Sequence, residues 1–350
     1  MVRQRLYFID ALRAFAILMM LQGHFISGLL DPSTIDPNHF VYQLWYYCRG
    51  FTAPVFFTIT GWVFMFLLLR NGESGWANPR VKKGLKRAVE LILWGYALRL
   101  SFVYLLSSGK LTKTFMQPDV LHIIGLGLVF LVGSYLILHK LGKINALVFF
   151  LITVAIFSTN TLYTDIVFDR LPYFIAAYLT KANGAVFYIL PWLGYVSFGA
   201  GIAYVFPTQT KKLRLWSLAF IATGFVLSFH NQLFGQLGDT DFLFVRLGDV
   251  LLLFGFFMLL EPFIRQSLWQ KIGTKTLSLY IVHYVILYGS FTSIGLYKFY
   301  KESLSWQVTV VGALGFVVGV TAVVLLYPIT LKPWVKDIWY RIGKLCRHNL

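Results

Sequence analysis

The 350-residue sequence predicts an all-α protein, a polytopic membrane helix bundle of about ten transmembrane helices with both termini in the cytoplasm. Three observations carry this. The chain is 58% hydrophobic and only 13% charged, with mean hydropathy +0.69, so in water it would expose far too much apolar surface. Apolar runs of about 20 residues, the length that crosses a bilayer, recur from end to end. The basic residues crowd into alternate short connections, as the positive-inside rule requires, and this rather than nucleic-acid binding accounts for the net charge of +17.

The runs are 7–29, 41–69, 88–107, 120–138, 144–160, 185–206, 213–230, 242–263, 273–297 and 307–329. With the N-terminus inside, every cytoplasmic segment is basic. The outer loops hold only Lys110, Lys113, Arg170, Lys181, Lys298 and Lys301. In the connection 161–184, "RLPYFIAAYLTKANG" is apolar but too short to span, so it is expected to lie on the surface or dip into the protein. In 331–350, Trp334, Ile338, Ile342 and Leu345 recur at helical spacing among basic residues, predicting a cytoplasmic interfacial tail. Residues 1–330 form one transmembrane domain, because no polar stretch reaches domain size. Cys48 and Cys346 fall on opposite faces, and no metal-ligand or redox spacing is present.

The first run, "YFIDALRAFAILMMLQGHFI", carries three ionisable groups, Asp10, Arg13 and His24. Arg13 and His24 are 11 residues apart, three turns plus about 20°, so they share a helix face, with His24 roughly 16 Å beyond Arg13. Asp10 lies one turn before Arg13 on the same side. Such groups must face protein or water rather than lipid. An ion pair explains Asp10 and Arg13 as well as a functional role does; His24 points more to function.

Other ionisable groups fall at the outer level of His24. Arg49 opens "CRGFTAPVFFTITG", Asp119 and His122 open "DVLHIIGLG", and Arg246 and Asp249 sit one turn apart in "VRLGDVLLLFG". The last two also read as a plain i,i+3 ion pair. His283 lies mid-run in "TLSLYIVHYVILYG", where a hydrogen bond to Tyr280 is the structural alternative. This much polarity in apolar helices implies a reaction centre or a translocation path. On the inner side, Arg80, Lys83, Lys86 and Arg87 form a basic cluster that suits lipid headgroups or a phosphate-bearing ligand.

Several of these stretches resemble membrane acyltransferases. The Arg-x10-His spacing of Arg13 and His24 is similar to the opening helix of the acyltransferase-3 family. "DVLHIIGLGLVFLVG", "LPWLGYVSFGAGIAY", "IGTKTLSLYIVHYVILYG" and "RGFTAPVFFTITGWVF" resemble the heparan-α-glucosaminide N-acetyltransferase and YeiB-like group (domain of unknown function 1624). The resemblance implies a multi-pass enzyme with no bound cofactor. It would move an acetyl or other acyl group from cytoplasmic acyl-CoA, as co-substrate, to a hydroxyl or amine of a sugar or glycan acceptor on the far side. It implies a plasma membrane of the bacterial inner type and leaves the oligomeric state open, a homo-oligomer included. The sugar N-acetyltransferases have Asn where this helix has His24, and their reactive histidine follows in the next loop, where His39 is nearest here. The expected catalytic set is His24, Arg13, Asp10 and His283. His39, Arg49, Asp119, His122, Arg246 and Asp249 would line the acceptor site. Arg80, Lys83, Lys86 and Arg87 would bind the acyl-CoA. The rival class is a multi-pass transporter or flippase of a polar solute.

Overall fold

The computed structural model describes residues 6–70, 73–139, 142, 144–206, 212–230, 241–265 and 268–327. The tail 331–350, with its expected interfacial helix, lies outside the described residues. Among the described residues every regular element is a helix, apart from one bridge between Leu30 and Leu304. The first half holds α1 (Tyr7–Leu29), α2 (Phe40–Arg49), α3 (Thr52–Leu69), α4 (Pro79–Arg99), α5 (Phe102–Ser108), α6 (Lys113–Met116), α7 (Val120–Leu138) and α8 (Ile144–Ser158). Then come α9 (Asn160–Thr164), α10 (Tyr173–Leu179), α11 (Ile189–Val205), α12 (Leu213–Ser228) and α13 (Asp241–Leu259). The last are α14 (Glu261–Ile264), α15 (Leu268–Thr274), α16 (Thr276–Tyr288), α17 (Leu296–Tyr300) and α18 (Trp306–Leu326).

Five helical segments among the described residues are long and apolar enough to cross a membrane, and the bent pair α4–α5 makes a sixth if taken as one span. Four further apolar helices run only 10–17 residues. Each of the ten apolar runs is therefore helical, but not each is a full-length span.

Two runs are not the single helices expected. The run 41–69 breaks between Arg49 and Thr52. Gly50 sits at that break because a Cβ there would lie 2.5 Å from Nη2 of Arg246. The run 88–107 starts earlier, at Pro79, where the Asn78 side chain caps α4 by accepting from the Arg80 amide. It ends at Arg99, and Ser101 caps a second helix that leaves at 62°. The stretch expected to lie on the surface or dip into the protein forms α10, which does some of each: Phe174 and Ile175 are exposed, Ala176 and Ala177 are buried, and the Tyr178 hydroxyl meets that of Tyr96 on α4 at 2.8 Å.

The core is centred on α1. Phe8, Ala11, Leu12, Ala14 and Leu21 have no exposed surface, and α1 touches α3, α13, α15, α16 and α18. Such burial is possible because the helix is apolar all round except for its ionisable side. By contrast α18 presents Val311, Leu314 and Val318 outward, an apolar face suited to lipid. Close crossings use small residues. Where α3 meets α11, a Cβ on Gly61 would lie 1.9 Å from the Val196 carbonyl oxygen, and one on Gly199 would lie 2.0 Å from that of Thr58.

Candidate active site

The shared face of Arg13 and His24 opens onto two cavities, one for each residue. The first has a volume of about 490 Å³ and is lined by Arg13 with Arg80, Lys83 and Arg87 of α4. Positions 80, 83 and 87 share one helix face. That face approaches α3 closely because Gly84 leaves room for Phe64, whose Cζ would be 2.3 Å from a Cβ there. Lys86 points elsewhere and is exposed, so it does not line this cavity. Asp10 is buried behind Arg13, their charges 3.7 Å apart, and Arg87 pairs with Glu90 at 2.9 Å. Here, four cations converge on a cleft whose remaining walls, such as Ile17, Leu128 and Leu277, are apolar.

The second cavity is larger, about 810 Å³, and is walled by aromatic side chains, among them Tyr46, Trp192, Tyr284 and Tyr288. It is lined by His24, Arg49, Arg99, Asp119 and Arg246. His24 Nδ1 lies 3.1 Å from Nε2 of His283, and His283 Nδ1 lies 3.3 Å from the carbonyl oxygen of Leu279. This geometry fixes the protons of two neutral rings. A carbonyl only accepts, so His283 Nδ1 donates and its Nε2 is left as acceptor. His24 Nδ1 must then donate to it, which leaves the lone pair of His24 on Nε2. His24 is partly exposed while His283 has no exposed surface, so one ring is available to a ligand and the other braces it.

Asp119 is a fixed post beside this pair. As N-cap of α7 it accepts from the amides of Leu121 (2.9 Å) and His122 (3.3 Å). Its other partners are the Tyr280 hydroxyl at 3.2 Å, His122 Nδ1 at 2.9 Å and Arg99 Nε at 3.6 Å. Arg99 also donates to the carbonyls of Thr114 and Gln117. Tyr280 therefore serves Asp119 and does not bond to His283, against which its ring packs edge-on at 5.0 Å. His122 is fully buried beneath Asp119 and borders neither cavity. At the far wall, Arg246 donates to the Tyr47 carbonyl (3.0 Å) and to Asp249 (3.1 Å) and lies over the Tyr47 ring. Asp249 stands behind it, accepting also from Tyr47 and Ser228 hydroxyls.

Met20, Phe56, Val120 and Tyr280 line both cavities, so one layer of side chains separates the basic cleft from the aromatic one. His39 is the exposed N-cap of α2 and borders neither. Among the described residues no three His, Cys, Asp or Glu side chains gather as metal ligands would. Two contributions were not anticipated from sequence. Arg99 stood within an apolar run, and Tyr280, Tyr284 and Tyr288 recur every fourth residue, a spacing that puts all three on one face of α16.

No curated protein matches the chain. A family model described as "Heparan-alpha-glucosaminide N-acetyltransferase, catalytic" matches residues 5–233, which include His24, Arg49, Arg99, Asp119 and the basic face of α4. His283, Arg246 and the α16 tyrosines come from outside that stretch. With a match over well over half its length and a set of apolar helices suited to a membrane, the chain belongs to the heparan-α-glucosaminide N-acetyltransferase catalytic family and carries an acetyltransferase-type activity.

Proposed function

We propose that the protein transfers an acetyl group from cytoplasmic acetyl-CoA to a hydroxyl or amine of a sugar-type acceptor on the outer side of the membrane. The apolar helices, the shorter ones packed among the full-length spans, sit in the bilayer with both termini inside, as the distribution of Lys and Arg argues. Arg13, Arg80, Lys83 and Arg87 bind the donor's phosphates as charge-assisted partners. The donor's narrow arm then reaches through the layer at Met20, Phe56, Val120 and Tyr280, presenting the thioester to the aromatic cavity.

There the acceptor takes its place against the tyrosines, and His24 Nε2 removes the proton of its attacking O–H or N–H. The acceptor atom bonds to the thioester carbonyl carbon, the C–S bond breaks, and the departing sulfur takes the proton back from the His24 imidazolium. His283 holds the ring in the tautomer this requires, and Asp119 and Arg99 brace the opposite wall. The single observation that carries the reading is the His24–His283 contact within a cavity that shares a wall with a four-cation cleft. A transporter or flippase would not need an imidazole held in one protonation pattern, which is why that alternative is the weaker one.

The test is His24→Ala in the purified protein. Release of free CoA thiol should fall by about 10²- to 10⁴-fold, the usual worth of a general base, while acetyl-CoA binding measured by calorimetry stays unchanged. Retained turnover in that variant sinks the assignment.

A further inference from the structure

At the tetrahedral stage of the transfer the thioester oxygen carries a negative charge, and neither histidine meets it. His24 has just taken the acceptor's proton at Nε2, and its Nδ1 is engaged by His283. In an aromatic-walled cavity such a charge needs a fixed donor already aimed at it. Two guanidinium groups of the cavity are tied elsewhere. Arg99 serves Asp119 and two backbone carbonyls, and Arg246 serves Asp249 and a third.

The tyrosines of α16 differ from one another in the same way. Tyr280 stands in the layer between the cavities and donates its hydroxyl to Asp119 at 3.2 Å. Tyr284 is the next ring outward, about 6 Å further along the helix axis. It is stacked on Tyr280 with centroids 6.2 Å apart. Tyr284 borders the aromatic cavity but not the basic cleft, and among the described residues its hydroxyl has no hydrogen-bond partner. A partly buried phenol usually finds one. Its ring is held on three sides, by Tyr280, by Tyr288 at 4.8 Å and edge-on by His283 at 6.1 Å. The last contact matters most, because His283 also fixes His24. One packing unit therefore sets the base and an unengaged donor on the same cavity. Tyr288, a further turn out, meets the His24 ring edge-on at 6.2 Å.

We propose that the Tyr284 hydroxyl is the oxyanion donor of the reaction, a role that rests on the acetyltransferase reading. A thioester that has passed the layer at Tyr280 brings its carbonyl oxygen to the first unengaged hydroxyl on that helix face. As the acceptor atom bonds to the carbonyl carbon, the C=O π pair moves onto oxygen, and Tyr284 donates a hydrogen bond to it while keeping its proton. The pair returns when the C–S bond breaks, and the sulfur takes its proton from the His24 imidazolium. The donor is neutral throughout, which suits a site among apolar helices better than a further cation would.

The test is the infrared carbonyl band of acetyl-CoA carrying carbon-13 at the thioester, bound to the full-length protein in nanodiscs. Calorimetry and thiol release with an amino sugar are read on the same samples. The bound band should lie below that of an acetyl thioester in apolar solvent. Tyr284→Phe, which keeps the ring, should return it there, and Tyr288→Phe should not move it. In Tyr284→Phe kcat should fall by about 10²- to 10³-fold, with acceptor KM and acetyl-CoA affinity within about twofold of wild type. A wild-type band at the unbonded position overturns the proposal and needs no variant, so misfolding of Tyr284→Phe cannot hide the answer. A lowered band that survives Tyr284→Phe means that another donor, such as Arg49, holds the oxygen, and overturns it as well. So does a KM that rises while kcat stays, which would put the hydroxyl on the acceptor. Wild-type protein that neither binds acetyl-CoA nor releases thiol fails the acetyltransferase reading and the proposal with it. Binding and turnover that Tyr284→Phe leaves untouched fail the proposal alone.

Discussion

His283→Ala removes the partner of His24 without touching either cavity, since His283 is fully buried and lines neither. Two effects follow. The 3.1 Å hydrogen bond from His24 Nδ1 biases the neutral ring toward the tautomer with its lone pair on Nε2. Such a bond is worth about 1 kcal/mol net, so its loss costs about fivefold in the population of the reactive form. The ring also loses its orientation, and a misplacement of about 1 Å at a reacting group costs about 10²-fold. The expected fall in kcat is therefore between about 5-fold and about 500-fold, with KM and acetyl-CoA affinity unchanged. The conservative variants separate positioning from mere packing. Gln places its carbonyl oxygen near the position of imidazole Nε2 and can still accept from His24, whereas Asn reaches only the Nδ1 position. His283→Gln should recover most of the rate and His283→Asn should not. The assay is CoA thiol release at saturating acetyl-CoA with an amino sugar as acceptor. A kcat for His283→Ala within about twofold of wild type, less than the tautomer effect alone predicts, refutes the argument, as does a Gln variant no better than Ala.

Neutralising Arg80, Lys83 and Arg87 together should weaken acetyl-CoA binding by about 10- to 100-fold and flatten its salt dependence in calorimetry, while Lys86→Gln, off the cavity, should change neither. Gly61→Ala sets a methyl 1.9 Å from a backbone carbonyl oxygen, so α3 and α11 must part. A loss of at least about 1–3 kcal/mol, or of monodisperse protein altogether, is expected, with Gly133→Ala, which meets nothing within 4 Å, melting like wild type. Arg246→Met strands Asp249 in a buried site and should cost about 3–5 kcal/mol in thermal unfolding, and adding Asp249→Asn should return part of it.

What the sequence made legible was whatever depends on neighbours along one helix. The ends of α1 and α7 fall where the apolar runs 7–29 and 120–138 begin and stop. The Arg13–His24 face follows from helical geometry alone, and the structure puts the two residues on one side of α1, each at its own cavity. The basic face of α4 was legible for the same reason, although spacing was needed to exclude Lys86. The breaks were not. The run 41–69 carries Arg49, Gly50 and Pro54 at its break, a signal that its apolar length masked, and the space that Gly50 leaves is filled by Arg246, nearly 200 residues later. The bend after Arg99 did leave a trace, since Ser101 is a helix-start residue inside an apolar run.

The histidines show the limit most clearly. His24 and His283 are 259 residues apart, and nothing local marks them as partners. Periodicity even suggested the wrong one, because Tyr280 is a turn away from His283 on the same helix but turns its hydroxyl to Asp119. The choice between His24 and His39 could not be made by type or by spacing either, as both precede or follow plausible loop positions at the outer level. Packing separates them. His39 stands at the exposed start of α2 and makes no capping hydrogen bond with its side chain, whereas the glycine before His24 brings Arg49 alongside and α16 supplies a second ring behind it. What distinguishes His24 is thus the hydrogen-bond acceptor lodged behind its Nδ1, and that acceptor comes from the C-terminal third of the chain, which the family match does not reach.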